Sequence, residues 1–405
     1  MKDKVANFAT RKKRRSTHVY MLAALLVLFS AAIVALVQRS KVSAPAQENT
    51  INVVQPEQKP TYTSLEGRYL FNGTIVMARA VEKYANGNYA QPFSQLYTLQ
   101  PEKYDAWAAD FECPITNNVV PYQTQIDKLV FNCRPEWLPE LTKYVQLYNL
   151  ANNHTGDQGF PEGLNETRGH LEKAGVQYFG SYDPTVTSDI CEVIALPIRL
   201  LKTDEQQEKG TLPVAFCAWH YFNFGRGPTA QELAVVSDYA ANMPVFAFVE
   251  MGNEYQASAS PAQRSIAKSI IDQGADFVMA NNPHWVQDSE VYKGKLIVYS
   301  LGNFIFDQID AETQRGVSFD TTIRTDYNDN TAAWVKLGAV CKTYKDDCLQ
   351  KAKQQTLKKV SLKYSYAPVA SQGGAGKITR KATDAVQKAV EERLNWAVVS
   401  KQLGQ

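Results

Sequence analysis

The chain contains no C-x-x-C pair, no internal repeat of fixed period and no basic excess across its main body. The first absence argues against a thiolate-held zinc or a thioredoxin-like redox centre. The second argues against a solenoid or propeller. The third leaves nothing to favour nucleic acid as a partner, because the whole chain carries only +2 and that charge is unevenly placed. The first fifteen residues hold seven basic side chains and one acid, so everything after them is net −4. Hydrophobic residues at 44% and charged residues at 21% exclude a mainly disordered, collagen-like or polytopic membrane chain. At roughly 100–200 residues per domain, the 405 residues leave room for two or three domains and a large core.

What is present begins with an anchor. The basic tail, residues 1–19, includes Arg11-Lys12-Lys13-Arg14-Arg15 and precedes Tyr20 to Val37, eighteen residues without a formal charge. At about 1.5 Å per residue this stretch covers about 27 Å of a hydrocarbon core about 30 Å thick, longer than the apolar region of a cleaved signal, about 7–15 residues. The expectation is a single-pass signal anchor at residues 20–37 in the cell membrane. Its amino terminus is placed in the cytoplasm by the positive-inside rule, with the main domain outside. The alternative is a cleaved export signal, with Ser43-Ala44-Pro45-Ala46 near the cut. Residues 38–63, rich in Ala, Pro, Gln, Glu, Asn, Thr and Ser, read as a solvated stalk.

An exported body permits disulfides, and Cys113, Cys133, Cys191, Cys217, Cys341 and Cys348 are even in number. Sequence neighbours suggest 113–133, 191–217 and 341–348, with buried free thiols left open for the first two pairs.

From Arg68 onward, short apolar runs alternate with helical patterns, the signature of a layered α/β fold. Strands are expected at Tyr69–Met77, Tyr144–Leu150, Leu212–Trp219, Pro244–Val249, Asp276–Ala280 and Leu296–Ser300. Helices are expected at Phe160–Ala174, Thr229–Asn242 and Pro261–Gln273. The body then spans residues 64–330, with an extension at 331–405. In the extension Ser371–Gly376 reads as a flexible joint before an amphipathic helix carrying Ile378, Ala382, Ala385, Val386, Ala389, Val390 and Leu394, expected to dock on the body.

Polar clusters follow the strand ends, where open α/β sheets gather ligand chemistry. Asn153-His154 with Asp157 can hold a metal or orient a phosphate. His284 is a second ligand or a general acid. Glu250 and Glu254 flank Gly252, and Asp110 and Glu112 share one face of an extended segment. Each of these has a plainer reading as a turn, a solvated acid pair or a sheet rim.

Taken in order, Gly73–Arg79, Asp110–Thr116, Ala151–Gly159, Met251–Tyr255, Asn282–His284 and Tyr299–Phe306 resemble the bacterial capsule-synthesis CapA family of poly-γ-glutamate biosynthesis, over about residues 66–310. The resemblance implies a calcineurin-like metallophosphoesterase-type four-layer α/β/β/α sandwich, tethered beside a membrane-bound capsule or poly-γ-glutamate synthase, with an anionic polymer as a further ligand. Position by position it points to Glu112, Asn153, His154, Asp157, Gly252, Glu254, Tyr255, Pro283, His284 and Asn303. Thr74 stands where the family places an aspartate, Glu250 where it places a histidine, and Ala280-Asn281-Asn282 where it has Gly-His-His.

The expected site is therefore partly degenerate. His154 and Asp157 are its catalytic candidates, and Glu112, Asn153, Glu250 and His284 its metal candidates. Asp110, Glu254, Tyr255, Asn281, Asn282 and Asn303 line it. With asparagine and glutamate in place of imidazoles and threonine in place of the aspartate, the expected ion is Mn²⁺, Mg²⁺ or Ca²⁺. The rival expectations are an exported metal-dependent hydrolase of phosphoesters or amides, and a non-catalytic scaffold.

Overall fold

The computed structural model describes residues 61–341 and 345–405, with the side chains of 345 and 346 excepted. The expected basic tail, membrane span and nearly all of the stalk lie outside the described residues. Among the described residues, no helix is long and apolar enough to cross a membrane.

Fourteen strands share one hydrogen-bonded sheet in a mixed α/β fold. In chain order they are β1 (Tyr62–Ile75), β2 (Ala106–Phe111), β3 (Leu147–Asn149), β4 (Gln177–Phe179), β5 (Cys191–Lys202), β6 (Gln207–His220) and β7 (Val245–Glu250). There follow β8 (Phe277–Asn281), β9 (Ser289–Tyr292), β10 (Lys295–Val298), β11 (Asn303–Ile305), β12 (Arg315–Asp326), β13 (Lys363–Gln372) and β14 (Arg380–Lys381).

The sheet branches at β1. The amino-terminal half of β1 pairs antiparallel with β12 and β5, and its carboxyl-terminal half runs parallel to β2 and β11. One branch continues in parallel through β2, β3 and β4. The other runs from β5 through β6, then in parallel through β7, β8 and β10. Parallel strands are covered on both faces, which is why β7 and β8 read as unbroken apolar runs, and both are wholly buried.

Alternation along β1 sends neighbouring side chains to opposite sides. Phe71 packs against Phe216, Phe246, Phe248 and Phe277 at ring separations of 5.6–6.4 Å. Phe179 on β4 meets Phe216 at 5.0 Å and Phe248 at 5.2 Å, so the two branches bury one aromatic core between them. Leu70 faces the other way, into a separate apolar cluster with Trp107, Ala109, Tyr148, Val81 and Leu171 under the helices Arg79–Ala85 and Glu162–Lys173.

Two expected helices carry clear start signals. Thr229 and Glu232 form a capping box ahead of Ala230–Ala240, and Ser260 and Gln263 do the same ahead of Pro261–Asp272, with Pro261 in its first turn. All three suggested disulfides are formed: Cys113–Cys133, Cys191–Cys217 and Cys341–Cys348.

The carboxyl-terminal segment differs from expectation. Ser371 and Gln372 are not a joint; they end β13 and pair with Lys381 and Arg380 of β14. Ile378 and Ala382 consequently precede the helix, which runs Asp384–Arg393. Backbone pairing along the sheet edge satisfies more polar groups than a helical turn through three glycines would. The helix does dock: Val390 and Leu394 are buried, and Ser289 donates its hydroxyl to the Leu394 carbonyl at 2.6 Å.

Candidate functional site

Two rows of polar residues end the parallel strands. Thr74 on β1 is in register with Asn303 on β11 and with Asp110 on β2, and Asp110 with Asn149 on β3. On the other branch His220, Glu250 and Asn281 end β6, β7 and β8 in mutual register. Residues in register on adjacent parallel strands present their side chains to the same face. All of these except the strand-edge neighbours would be expensive to bury without partners, yet each is at most 4% exposed.

Asp110 accepts three hydrogen bonds, from the Thr74 hydroxyl at 3.1 Å and from the Asn149 and Asn152 amides at 2.9 and 3.0 Å. Burial outweighs these donors and pushes its carboxyl up to about 7. Glu112 is pushed well above the usual range by burial, then by the charge of Asp110, with Arg79 opposing. Glu250 is pushed up likewise by burial and by Asp110 and Glu112, against one backbone hydrogen bond from Asn153 at 3.2 Å. Three buried carboxylates thus disfavour one another's charge.

Around them sit buried polar atoms that meet no partner among the described residues: Asn153 Oδ1, Asn281 Oδ1 and both ring nitrogens of His220. Each such atom costs about 1–3 kcal/mol.

Two of the predicted histidines are held by specific partners. His154 Nδ1 lies 2.8 Å from Asp157 Oδ2, its Nε2 lies 3.9 Å from Glu112, and its ring stacks on Phe131 at 3.9 Å. Asp157 also accepts the Phe131 backbone N–H at 2.7 Å, so one carboxylate sets both rings. Arg79 covers the far face of Phe131 at 4.4 Å and pairs with Asp307. His284 Nδ1 lies 2.9 Å from Asn303 Oδ1, its Nε2 4.0 Å from Glu254. Burial brings the His284 imidazole down to about 4, so it is neutral at pH 7.

The structure brings Asp110, Glu112, Asn153, His154, Glu250, Glu254 and His284 into one cluster. Others support it from behind. Asn282 donates to the Gly252 carbonyl at 2.6 Å, and Tyr255 accepts from Gln308, which in turn accepts from Asn303. Sequence reasoning missed His220, Asn149 and Asn152. His220 carried the same signal as the others, a polar residue directly after an apolar run, since the expected strand stops at Trp219.

Among the described residues, no three His, Cys, Asp or Glu side chains form a ready metal cage by themselves. Asparagine oxygens alter that balance. Asp110, Glu112 and Glu250, with the unpartnered oxygens of Asn153 and Asn281, are a donor set that fits a hard divalent cation. Such an ion would supply charge neutralisation and Lewis acidity. The chain's own residues hold the imidazole in place: Asp157 fixes His154 through Nδ1 and leaves Nε2 on the side of Glu112, where it could hold or deliver a proton.

The chain matches the family described as bacterial capsule synthesis protein PGA_cap over residues 68–308. It is 28% identical over 250 residues to the PGA biosynthesis protein CapA of Bacillus subtilis (strain 168), covering 59% of this chain and 63% of that protein, so the match spans less than two thirds of the relative. It is 24% identical over 318 residues to the capsule biosynthesis protein CapA of Bacillus anthracis, covering 73% of this chain and 71% of that one. Among solved structures, a novel phosphatase from Mycoplasma pneumoniae aligns with a TM-score of 0.36 and 9% identity over 76% of this chain and 94% of that one, a likeness too distant to carry an argument. The family match covers more than half of the chain and includes every strand end that builds the cleft, and on that ground the chain belongs to the bacterial capsule synthesis PGA_cap family.

Proposed function

We propose that this protein is an accessory factor of capsule or poly-γ-glutamate biosynthesis. In this reading the amino-terminal segment tethers it to the cell membrane and the body acts on the outer face beside a polymer synthase. The named relatives support the process, and the branched sheet with its two apolar clusters supports a four-layer metallophosphoesterase-type sandwich. The observation that carries the site's role is the burial of Asp110, Glu112 and Glu250 beside the partnerless oxygens of Asn153 and Asn281. A fold selected only as a scaffold gains nothing from three mutually repelling acids, whereas a divalent cation, Mn²⁺, Mg²⁺ or Ca²⁺, removes their cost.

The test is replacement of the native gene by Glu250→Gln in the producing cell, with cell-surface anionic polymer as the readout. Loss of polymer at normal protein level supports a working site. Unchanged polymer leaves only the scaffold.

A second reading has its own observation. The His154–Asp157 pair beside Glu112 suits metal-dependent hydrolysis of a phosphoester or amide, with His154 as general acid. Turnover abolished by chelator and by His154→Ala is its expected signature, and turnover indifferent to both sinks it.

A further inference from the structure

His220 ends β6 in register with Glu250 and is 0% exposed. Among the described residues, neither ring nitrogen has a hydrogen-bond partner. Its flanks are occupied by aromatic rings, Tyr182 at 5.4 Å and Phe224 at 5.6 Å, neither of which satisfies a ring nitrogen. A histidine kept only for packing would be better replaced by phenylalanine, since leaving both nitrogens unpaired costs about 1–3 kcal/mol each. The partnerless oxygen of Asn281 lies two strands along the same row, and that of Asn153 belongs to the residue whose own backbone N–H donates to Glu250 at 3.2 Å. Three residues with orphaned lone pairs therefore surround one buried carboxylate. A proton donor would satisfy one of them at a time; a cation can accept from all.

We propose that His220 is a nitrogen ligand of a divalent-cation site whose other donors are Glu250, Asn153 and Asn281. This rests on the cation-binding reading above and goes beyond it. The donor set gains an imidazole from a strand end that the family motifs do not include. One imidazole among oxygen donors shifts the preference from Mg²⁺ and Ca²⁺ towards Mn²⁺, Co²⁺ and Zn²⁺.

The test is a Mn²⁺ and Co²⁺ titration of the full chain by calorimetry, with Mn²⁺ spin-echo spectroscopy to detect directly bound nitrogen. Wild type, His220→Gln, His220→Phe and Glu250→Gln are compared. Both His220 variants are expected to bind Mn²⁺ about tenfold or more weakly, with diminished nitrogen coupling and no fall in metal-free melting temperature. His220→Phe fills the same space, so a packing role would leave its affinity intact. Equal binding by wild type and His220→Phe, with loss only in Glu250→Gln, overturns the His220 assignment and leaves the cation site standing. No binding by wild type overturns both.

Discussion

Glu250 accepts the backbone N–H of Asn153 at 3.2 Å, although the two are 97 residues apart and their strands, β7 and β3, belong to different branches of the sheet. The bond joins the loop after β3 to the end of β7 across the cleft. Chemistry at this site therefore depends on both branches keeping their relative position, which the phenylalanine core between them enforces.

The buried acids give the metal-free protein an unusual pH dependence. Above about pH 7.5 the unfolded carboxylates are ionised and the unfolded histidines, with an ordinary pKa of about 6.5, are largely neutral. In the folded state the Asp110 carboxyl is pushed up to about 7, and burial with the neighbouring acids holds Glu112 and Glu250 well above the usual carboxylate range. The folded chain then binds more protons than the unfolded one, and stability falls as pH rises from about 7.5 to about 8.5, by up to about 1.4 kcal/mol per pH unit for each group. His284 and His220, lowered to about 4 and about 3, act in the opposite sense from those values up to about pH 7.5 and do not mask the window above it. Denaturant unfolding in chelator at three pH values checks the sign; a flat or rising profile contradicts it.

Glu250→Gln should stabilise the metal-free protein while destroying its response to cation. Glutamine still offers an oxygen to the Asn153 N–H and removes one of three adjacent charges. The expected gain at pH 8 is about 1–2 kcal/mol, with no shift in melting temperature on adding Mn²⁺. A destabilised variant would show that the carboxylate is held by something other than the bonds described.

Gly73 marks the closest approach of backbone to backbone beneath the site. A Cβ placed there would lie 2.0 Å from the Gly302 carbonyl oxygen, at the point where β1 shifts register against β2. Gly73→Ala must push the loop Leu301–Gly302 away from Thr74, at a cost of about 3 kcal/mol. Thermal or urea unfolding measures this; a loss below about 1 kcal/mol would mean that the loop moves freely.

The three disulfides should differ in worth. Cys113–Cys133 closes a separation of 20 residues and Cys341–Cys348 one of 7. On chain entropy alone, removing the first by paired Ala substitution costs about 3 kcal/mol and removing the last about 2 kcal/mol. The first also frees the segment that carries Phe131 against His154, so its loss should weaken cation binding as well, measured by calorimetry on the same variants. Equal effects on affinity from both pairs would argue against that link.

Local chemistry made much of this protein legible. Apolar runs such as Val245–Val249 can only be buried strands, and the Thr229–Glu232 and Ser260–Gln263 boxes announce their helices, because these signals act within a few residues. The strand-end polar residues were legible for the same reason. β12 and β13 were not, since both mix charged, polar and small residues and owe their extended form to each other and to β1. Pro197 similarly disguised β5, a strand held by β1 and β6 on its two sides.

Residue type and order alone pointed to the family and the α/β class, suggested the cysteine pairs with free thiols left open for two of them, and named most of the site, including Asp110, Glu112, Asn153, His154, Glu250 and His284. Tertiary structure decided which of these meet and in what electrical state. Asp110 and Glu250 are 140 positions apart and, like Glu112, each would ionise readily in water; only their joint burial, with His220 and Asn281 in register beside Glu250, makes three ordinary acids disfavour one another's charge. Burial and register are properties of the folded sheet, set by contacts between distant segments, and no local pattern encodes them.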